Sequence, residues 1–332
     1  NLGSEYLKDF GLDGSFGTVQ LKNYDGKTSD YAEISRTVNA LLDNSTVQPF
    51  IGSNSWIIGS QKTKNGKVIF ANDPHISFAQ PCTWFEAHIA TPNYEIYGYY
   101  LAGTPFPLLG HNRDYAYGLT MFENDDIDLF QEENNPENPN QYKYKNEFLD
   151  YKIRKKTIKV KDSSDIVLNI KESIHGPIMN DVMNTISSKK PIAMSWIYTQ
   201  EKNQILDAVY HLSHSKNVDD FRKSIELIHA PGLNIMYGDA KNNISWTASG
   251  KLYKLDKSIN PNFILNGSNG IDDQKEFLPF DKNPSALNPS WNYLYSANNQ
   301  TEAIDGYLYP GYYLPKDRAE RIDNLLSPKN NW

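Results

Sequence analysis

The feature that most restricts this chain is its texture after Trp56: short apolar segments succeed one another, parted by brief runs of Asn, Gly, Pro and Lys. Trp56-Ile57-Ile58-Gly59 is the first. Lys67 to Ala71 follows across Asn65-Gly66, a pair suited to the positive φ of a hairpin turn. Glu86 to Ala90, Tyr94 to Leu101, Tyr115 to Thr120, Ile153 to Val160 and Ile166 to Ile170 continue the series. Asn234 to Tyr237 and Ile244 to Ala248 flank a turn at Lys241-Asn242-Asn243, and Trp291 to Tyr295 comes last. Segments this short between turn residues read as strands, and 22 tyrosines against 5 methionines lean the same way. Residues 131–146, rich in Asn, Pro and Glu, read as a surface excursion. Three stretches keep helical spacing instead. Tyr31, Ile34, Val38, Leu41 and Leu42 follow the capping pair Ser29 and Asp30; Val218, Phe221, Ile225 and Ile228 share a face between Asn217 and Pro231-Gly232; and Pro315 to Leu326 carries Arg318. The expectation is an α+β chain dominated by antiparallel strands.

At 332 residues and 39% hydrophobic, the chain can bury a large core in one big domain or two smaller ones. The net charge is −7 and no long basic stripe exists, which argues against nucleic acid as a partner. The densest basic run, Lys152 to Lys161, alternates with Ile and Val like a strand with one solvated face. No stretch approaches the ~20 apolar residues of a membrane-spanning helix. A lone Cys82 excludes an internal disulfide framework and suits a small buried hydrophobe. Asn1 is not a start residue, nothing near it has a signal-peptide profile, and Ser327 to Trp332 does not read as a domain close. The expectation is a piece of something longer.

Several short motifs bear chemistry. Gly52-Ser53-Asn54-Ser55 reads either as a polar turn before a strand or as a processing site. A serine hydroxyl can attack the carbonyl before it, and glycine there offers least hindrance. The serine so released carries an α-amine with a reference pKa of about 7.7–8.0, which can serve as base for its own hydroxyl. Asn72-Asp73-Pro74-His75 is a tight turn from which His75 emerges, either as a surface histidine or with its imidazole or backbone near a reacting carbonyl. Asn124-Asp125-Asp126-Ile127-Asp128 is either a solvated acidic loop or a set of hard-cation ligands, without the twelve-residue EF-hand pattern. Asn298, after the strand ending at Tyr295, either caps a turn or donates its amide to an oxyanion; Asn299 is its rival.

The order and spacing of Ser53-Asn54-Ser55-Trp56, Asn72-Asp73-Pro74-His75, Gly110-His111-Asn112, Asp125-Asp126-Ile127-Asp128, Ser296-Ala297-Asn298-Asn299 and Asp317-Arg318 strongly resemble the penicillin acylase family of N-terminal-nucleophile hydrolases. That family includes cephalosporin and acyl-homoserine lactone acylases. The resemblance runs over residues 53–326, as the start of the family's β subunit. It implies a four-layer αββα sandwich, incomplete in this chain. It implies that residues 1–52 are the end of an α subunit or a spacer, that Ser53 is the autocatalytically released nucleophile, and that the protein is periplasmic or secreted. His75 matches a position that carries His in lactone and cephalosporin acylases. Phe122 matches a backbone N–H donor of the oxyanion hole, Asn298 its side-chain donor, and Arg318 an organiser of the amine and the hole. Asp125, Ile127 (by its carbonyl) and Asp128 match ligands of one structural calcium ion. No cofactor is implied for the chemistry.

The implied reaction is hydrolysis of a linear amide through an acyl-enzyme on Ser53, with an apolar acyl pocket near Ile76, Leu109 and Leu119. A non-catalytic binding protein that keeps the fold is the alternative. The implied partners are a small-molecule amide and an α subunit from the same precursor. Only 52 residues precede Ser53, the family's β subunit runs past Trp332, and a remote acidic calcium ligand has no counterpart here.

Overall fold

The computed structural model describes residues 50–332, apart from 77–78, 184–185, 187, 203, 257–258 and 274. The amphipathic stretch from Tyr31 to Leu42 lies outside the described residues. Strands β1 (Phe50–Ile58), β2 (Ile69–Ile76), β3 (Trp84–Thr91), β4 (Tyr94–Leu101), β5 (Leu109–His111), β6 (Tyr115–Met121) and β7 (Ile127–Gln131) come in succession. Two ribbons follow, β8 (Gln141–Tyr144) with β9 (Glu147–Asp150) and β10 (Lys152–Ile158) with β11 (Ile166–Glu172). Next come β12 (Ile192–Trp196) and the helices α1 (Ile197–Gln200), α2 (Ile205–Ser213) and α3 (Val218–Ile225). The chain ends with β13 (Leu233–Asp239), β14 (Ile244–Ala248), β15 (Tyr253–Leu255), β16 (Leu265–Asn266), β17 (Lys275–Phe277), β18 (Ser285–Leu287), β19 (Tyr293–Ser296) and α4 (Asp317–Leu326).

Two antiparallel sheets carry the architecture, with strand orders β19-β1-β2 and β18-β14-β13-β6-β5-β4-β3. The period of two assigns their faces. Along β13, Leu233, Ile235 and Tyr237 join Tyr117 and Leu119 of β6 beneath Ala208, Leu212, Phe221 and Ile225 of α2 and α3. Met236 points the other way and meets Ile57 of β1 and Leu294 of β19. Both faces of β13 are therefore covered, and all of it is buried. Full burial of a side chain such as Phe221 stabilises by roughly 1.5–3 kcal/mol. The α3 helix starts where its cap allows: the Asn217 side chain accepts from the Asp220 N–H at 2.9 Å. On the outer face of the smaller sheet, the Tyr293 hydroxyl donates to Asp323 of α4 at 2.6 Å. Helix, three strands, seven strands and helices stack in the expected αββα order.

Three expectations are corrected. Within residues 131–146 lies β8, and Tyr142 is buried against Phe130, Tyr151 and Ile178; one tyrosine outweighs its polar neighbours. The β10–β11 ribbon is solvated on both faces of β10, because it pairs only with itself. Cys82 is exposed, since it precedes β3, the outermost strand of the larger sheet.

Candidate active site

Gly52-Ser53-Asn54-Ser55 is strand, not turn: β1 begins at Phe50 and crosses the whole motif. Ser53 pairs with Pro74 and Ser55 with Asn72 on β2. As an edge strand, β2 can hold a proline. Ser53 is 1% exposed, in the central strand of its sheet. A bulge interrupts the register between Phe50 and Gly52, and Gly52 has φ +149, a backbone region that is essentially glycine-only. A Cβ on Gly52 would lie 3.1 Å from Leu314 Cδ1, 3.2 Å from Arg318 Nη2 and 3.4 Å from Asn298 Oδ1. The bond before Ser53 is thus irregular and closely surrounded.

Ser53 is held from several sides. Its Oγ donates to the Gly52 carbonyl at 2.7 Å, and its N–H donates to Asn298 Oδ1 at 2.6 Å. Arg318 Nη1 donates to the Ser53 carbonyl at 2.8 Å and to Asn54 Oδ1 at 2.7 Å. Arg318 Nη2 donates to the Ala297 carbonyl at 2.8 Å and to Asn298 Oδ1 at 3.2 Å. Asn298 Nδ2 donates to the Met121 carbonyl at 2.8 Å. Donors on one side and an acceptor on the other fix the orientation of that amide. Asn298, rather than its rival, reaches Ser53, because the Asn299 side chain turns back to accept from the Ala297 N–H.

Other placements differ from the sequence reading. The Asn298 amide nitrogen faces the Met121 carbonyl and its oxygen faces Ser53, since the intact peptide N–H there requires an acceptor. The Phe122 N–H is taken by the Gly232 carbonyl at 3.1 Å. Alternation along β6 turns the amides of Leu119 and Met121 to the opposite edge, where the Leu119 N–H meets Asn72 Oδ1 at 2.7 Å. There β5 has ended: it pairs only with Ala116 and Tyr117. His75 lies across the ladder from Gly52, but its ring is on the opposite face from Ser53, 2.8 Å from Asp73 Oδ2 and 3.2 Å from Asn54 Nδ2. The backbone of His75, not its imidazole, adjoins the Gly52–Ser53 bond.

Ile76, Leu109 and Leu119 do not converge on a pocket. Leu119 belongs to the core under α2 and α3, on the far face of β6. Leu109 is buried in β5 opposite Tyr99, and Ile76 ends β2 beside Phe50. An open apolar cleft of about 600 Å³ lies elsewhere, at the β3–β4 edge, lined by Trp84, Phe85, Ile89, Tyr100 and Leu101.

Asp125 and Asp128 are both buried. Burial, reinforced by the charge of Asp128, pushes the Asp125 carboxyl up to about 7. Asp128 Oδ2 accepts from Lys275 Nζ at 2.6 Å and from the Tyr253 hydroxyl at 2.9 Å. Among the described residues, no group of three or more carboxylate, histidine or cysteine side chains is arranged to hold an ion. The residues read as calcium ligands do not fit that ion, because an ammonium already stands on one of them. Close by, His175 stacks on Phe130 with centroids 4.1 Å apart. Its Nδ1 is 2.7 Å from Glu132 and its Nε2 2.9 Å from Asp273.

A buried polar network escaped the sequence reading. Asn234 Nδ2 donates to the Met121 carbonyl at 3.1 Å and to Ser296 Oγ at 3.2 Å, while Trp246 Nε1 donates to Asn234 Oδ1 at 3.0 Å. The available signal was an asparagine inside Leu233-Asn234-Ile235-Met236, since a polar side chain buried in a central strand must find partners.

A serine in mid-strand, its amide gripped by an asparagine just past β19 and its carbonyl by an arginine of α4, defines the class: an N-terminal-nucleophile hydrolase fold. The sequence matches the penicillin amidase family over residues 3–332, and the chain belongs to that family. It is 30% identical over 285 residues to the acyl-homoserine lactone acylase QuiP of Pseudomonas aeruginosa, covering 82% of this chain and 33% of that protein. Against the penicillin G acylase of Escherichia coli it is 26% identical over 279 residues, covering 83% and 32%. A solved structure, the thermostable penicillin G acylase from Alcaligenes faecalis, shares the fold with a TM-score of 0.72 at 22% identity, over 84% of this chain and 50% of that one. The chain therefore spans about a third of the length of the two relatives.

Proposed function

We propose that residues 53–332 form the start of the nucleophile-bearing subunit of a self-processing amidase. The observation that carries this is the Ser53 hydroxyl on the carbonyl of its own scissile bond, with the Ser53 nitrogen clamped by Asn298. In processing, Oγ attacks the Gly52 carbonyl carbon, its proton passes to the Ser53 nitrogen, and the peptide C–N bond breaks to leave an ester. Water then splits the ester into a Gly52 carboxylate and a Ser53 with free amine and hydroxyl.

In turnover the same hydroxyl attacks the carbonyl of an N-acyl amine. The α-amine takes the proton and passes it to the leaving amine. Water frees the acyl group in a second step. Arg318 stands one hydrogen-bonding atom from that amine, through Asn298 Oδ1, and its fixed charge disfavours the ammonium form. Asn298 Nδ2 and the Met121 N–H are the donors suited to the developing oxyanion, each worth roughly 3–4 kcal/mol of barrier. The names of the relatives, penicillin G acylase and acyl-homoserine lactone acylase, support an N-acyl amine as substrate.

The test is Ser53→Ala in the full-length precursor. It should remain one chain by intact mass and lack activity on chromogenic phenylacetyl, glutaryl and long-chain amides. A processed, active Ser53→Ala protein would overturn the mechanism.

A further inference from the structure

The acidic loop carries its own counter-ion. We propose that the ammonium of Lys275 takes the place of a divalent cation at Asp125 and Asp128, so that this protein holds the loop without metal.

The environment of Lys275 is built for a buried ammonium. Its side chain is 15% exposed, and its Nζ stands 2.6 Å from Asp128 Oδ2, whose side chain is fully buried. The same nitrogen reaches Ser195 Oγ at 3.3 Å. It lies 4.5 Å from the ring centre of Tyr253 and 5.8 Å from that of Phe130. A carboxylate, a hydroxyl and two ring faces supply what water would otherwise give. Tyr253 also donates its hydroxyl to the same carboxylate oxygen, so one aromatic residue serves both charges.

Two carboxylate oxygens, Asp125 Oδ1 and Asp128 Oδ1, lack a protein partner, and they are the features that favour an ion. Calcium takes six to eight oxygens at about 2.3–2.6 Å. Of the loop's three carboxylates, Asp126 is hydrogen-bonded to Trp196, which leaves Asp125, Asp128 and the Ile127 carbonyl to offer an ion. An ion on Asp128 Oδ1 would also stand close to a positive charge on the same carboxylate, in a site too buried for water to screen the repulsion.

Lys275 performs the mechanical task of a bridging ion as well. It opens β17, which pairs with β15, and it ties that segment to β7, which carries Asp128. Two residues earlier, Asp273 ties the same segment to His175, and His175 in turn bonds Glu132. Two ion-paired contacts thus do the cross-linking.

Thermal unfolding of the full-length protein, with EDTA and with millimolar calcium, tests the proposal. The wild-type melting temperature should be the same in both. Lys275→Met should melt several degrees lower and regain part of the loss in calcium, because its two buried carboxylates then lack a counter-charge. Lys275→Arg should stay near wild type. A wild-type protein that loses stability in EDTA and recovers it in calcium overturns the proposal, as does a Lys275→Met protein that melts like wild type. If Lys275→Met fails to fold, the wild-type chelation result and Lys275→Arg decide the matter.

Discussion

Gly52→Ala is the sharpest probe of the processing bond. Gly52 has φ +149 beside a bulge, and holding an L-residue in that region costs of order 1–3 kcal/mol. The added methyl meets Leu314 Cδ1 at 3.1 Å and Arg318 Nη2 at 3.2 Å, distances at which a neighbour must shift, and Arg318 is tied down by four hydrogen bonds. The alanine backbone relieves itself by rotating, which moves the Gly52 carbonyl off the Ser53 hydroxyl. A geometry depopulated by 1–3 kcal/mol slows cleavage about 5- to 150-fold. The assay is a time course of chain cleavage by intact mass after purification of the full-length precursor. A parallel melt compares Gly52→Ala with its parent in a Ser53→Ala background, where cleavage cannot confuse the reading. A time course that overlays wild type, together with an unchanged melt, would refute the reasoning.

Asn298→Ala should lower kcat by roughly 10²–10³ with a smaller change in KM, and should slow processing; Asn299→Ala should leave kcat within a few-fold. Asn234→Leu, which removes a donor from the Met121 carbonyl, should lower kcat less than Asn298→Ala and leave KM nearly unchanged in steady-state kinetics. Burial draws the His175 pKa down, but the hydrogen bonds its imidazolium donates to Asp273 and Glu132 outweigh it and push the value to about 9. Since the folded value lies above the ordinary 6.5, this stabilisation is complete below pH ~6.5 and is lost as pH rises through ~9. Urea midpoints should therefore fall between those limits, and His175→Gln should flatten that part of the profile.

The helix from Asn217, the strand at Tyr94 to Leu101 and the strand at Ile244 to Ala248 were legible because local period and tertiary burial agree there. The strand across Ser53 was not, since Gly-Ser-Asn-Ser has turn propensity and is extended only because β2 and β19 flank it. The meeting of Ser53, Asn298 and Arg318 followed from the family resemblance that the motif order carries; the acidic loop was legible as a cluster, but not the lysine that stands on it. Detail at the level of single atoms did not follow. A one-residue change of alternation decides whether Phe122 or Met121 presents its amide to the open edge. Which atom of Asn298 faces Ser53 depends on the neighbouring donors. Lys275 lies 147 positions from Asp128, and no local pattern links them.

β1 runs unbroken through the Gly52–Ser53 bond, with Phe50 opposite Ile76 and Gly52 opposite His75. A cut at that bond divides the strand rather than a loop. Everything from Ser53 onward keeps its ladder, while residues 50–52 become a separate end. Once that end departs, the backbone of His75 and Ile76 is left with a short unpaired row directly beside the new amine. An extended amide can lie along such a row as a replacement strand, its carbonyl where the Gly52 carbonyl had been. Under the processing proposed above, the segment cut away would be the mould for the substrates bound afterwards.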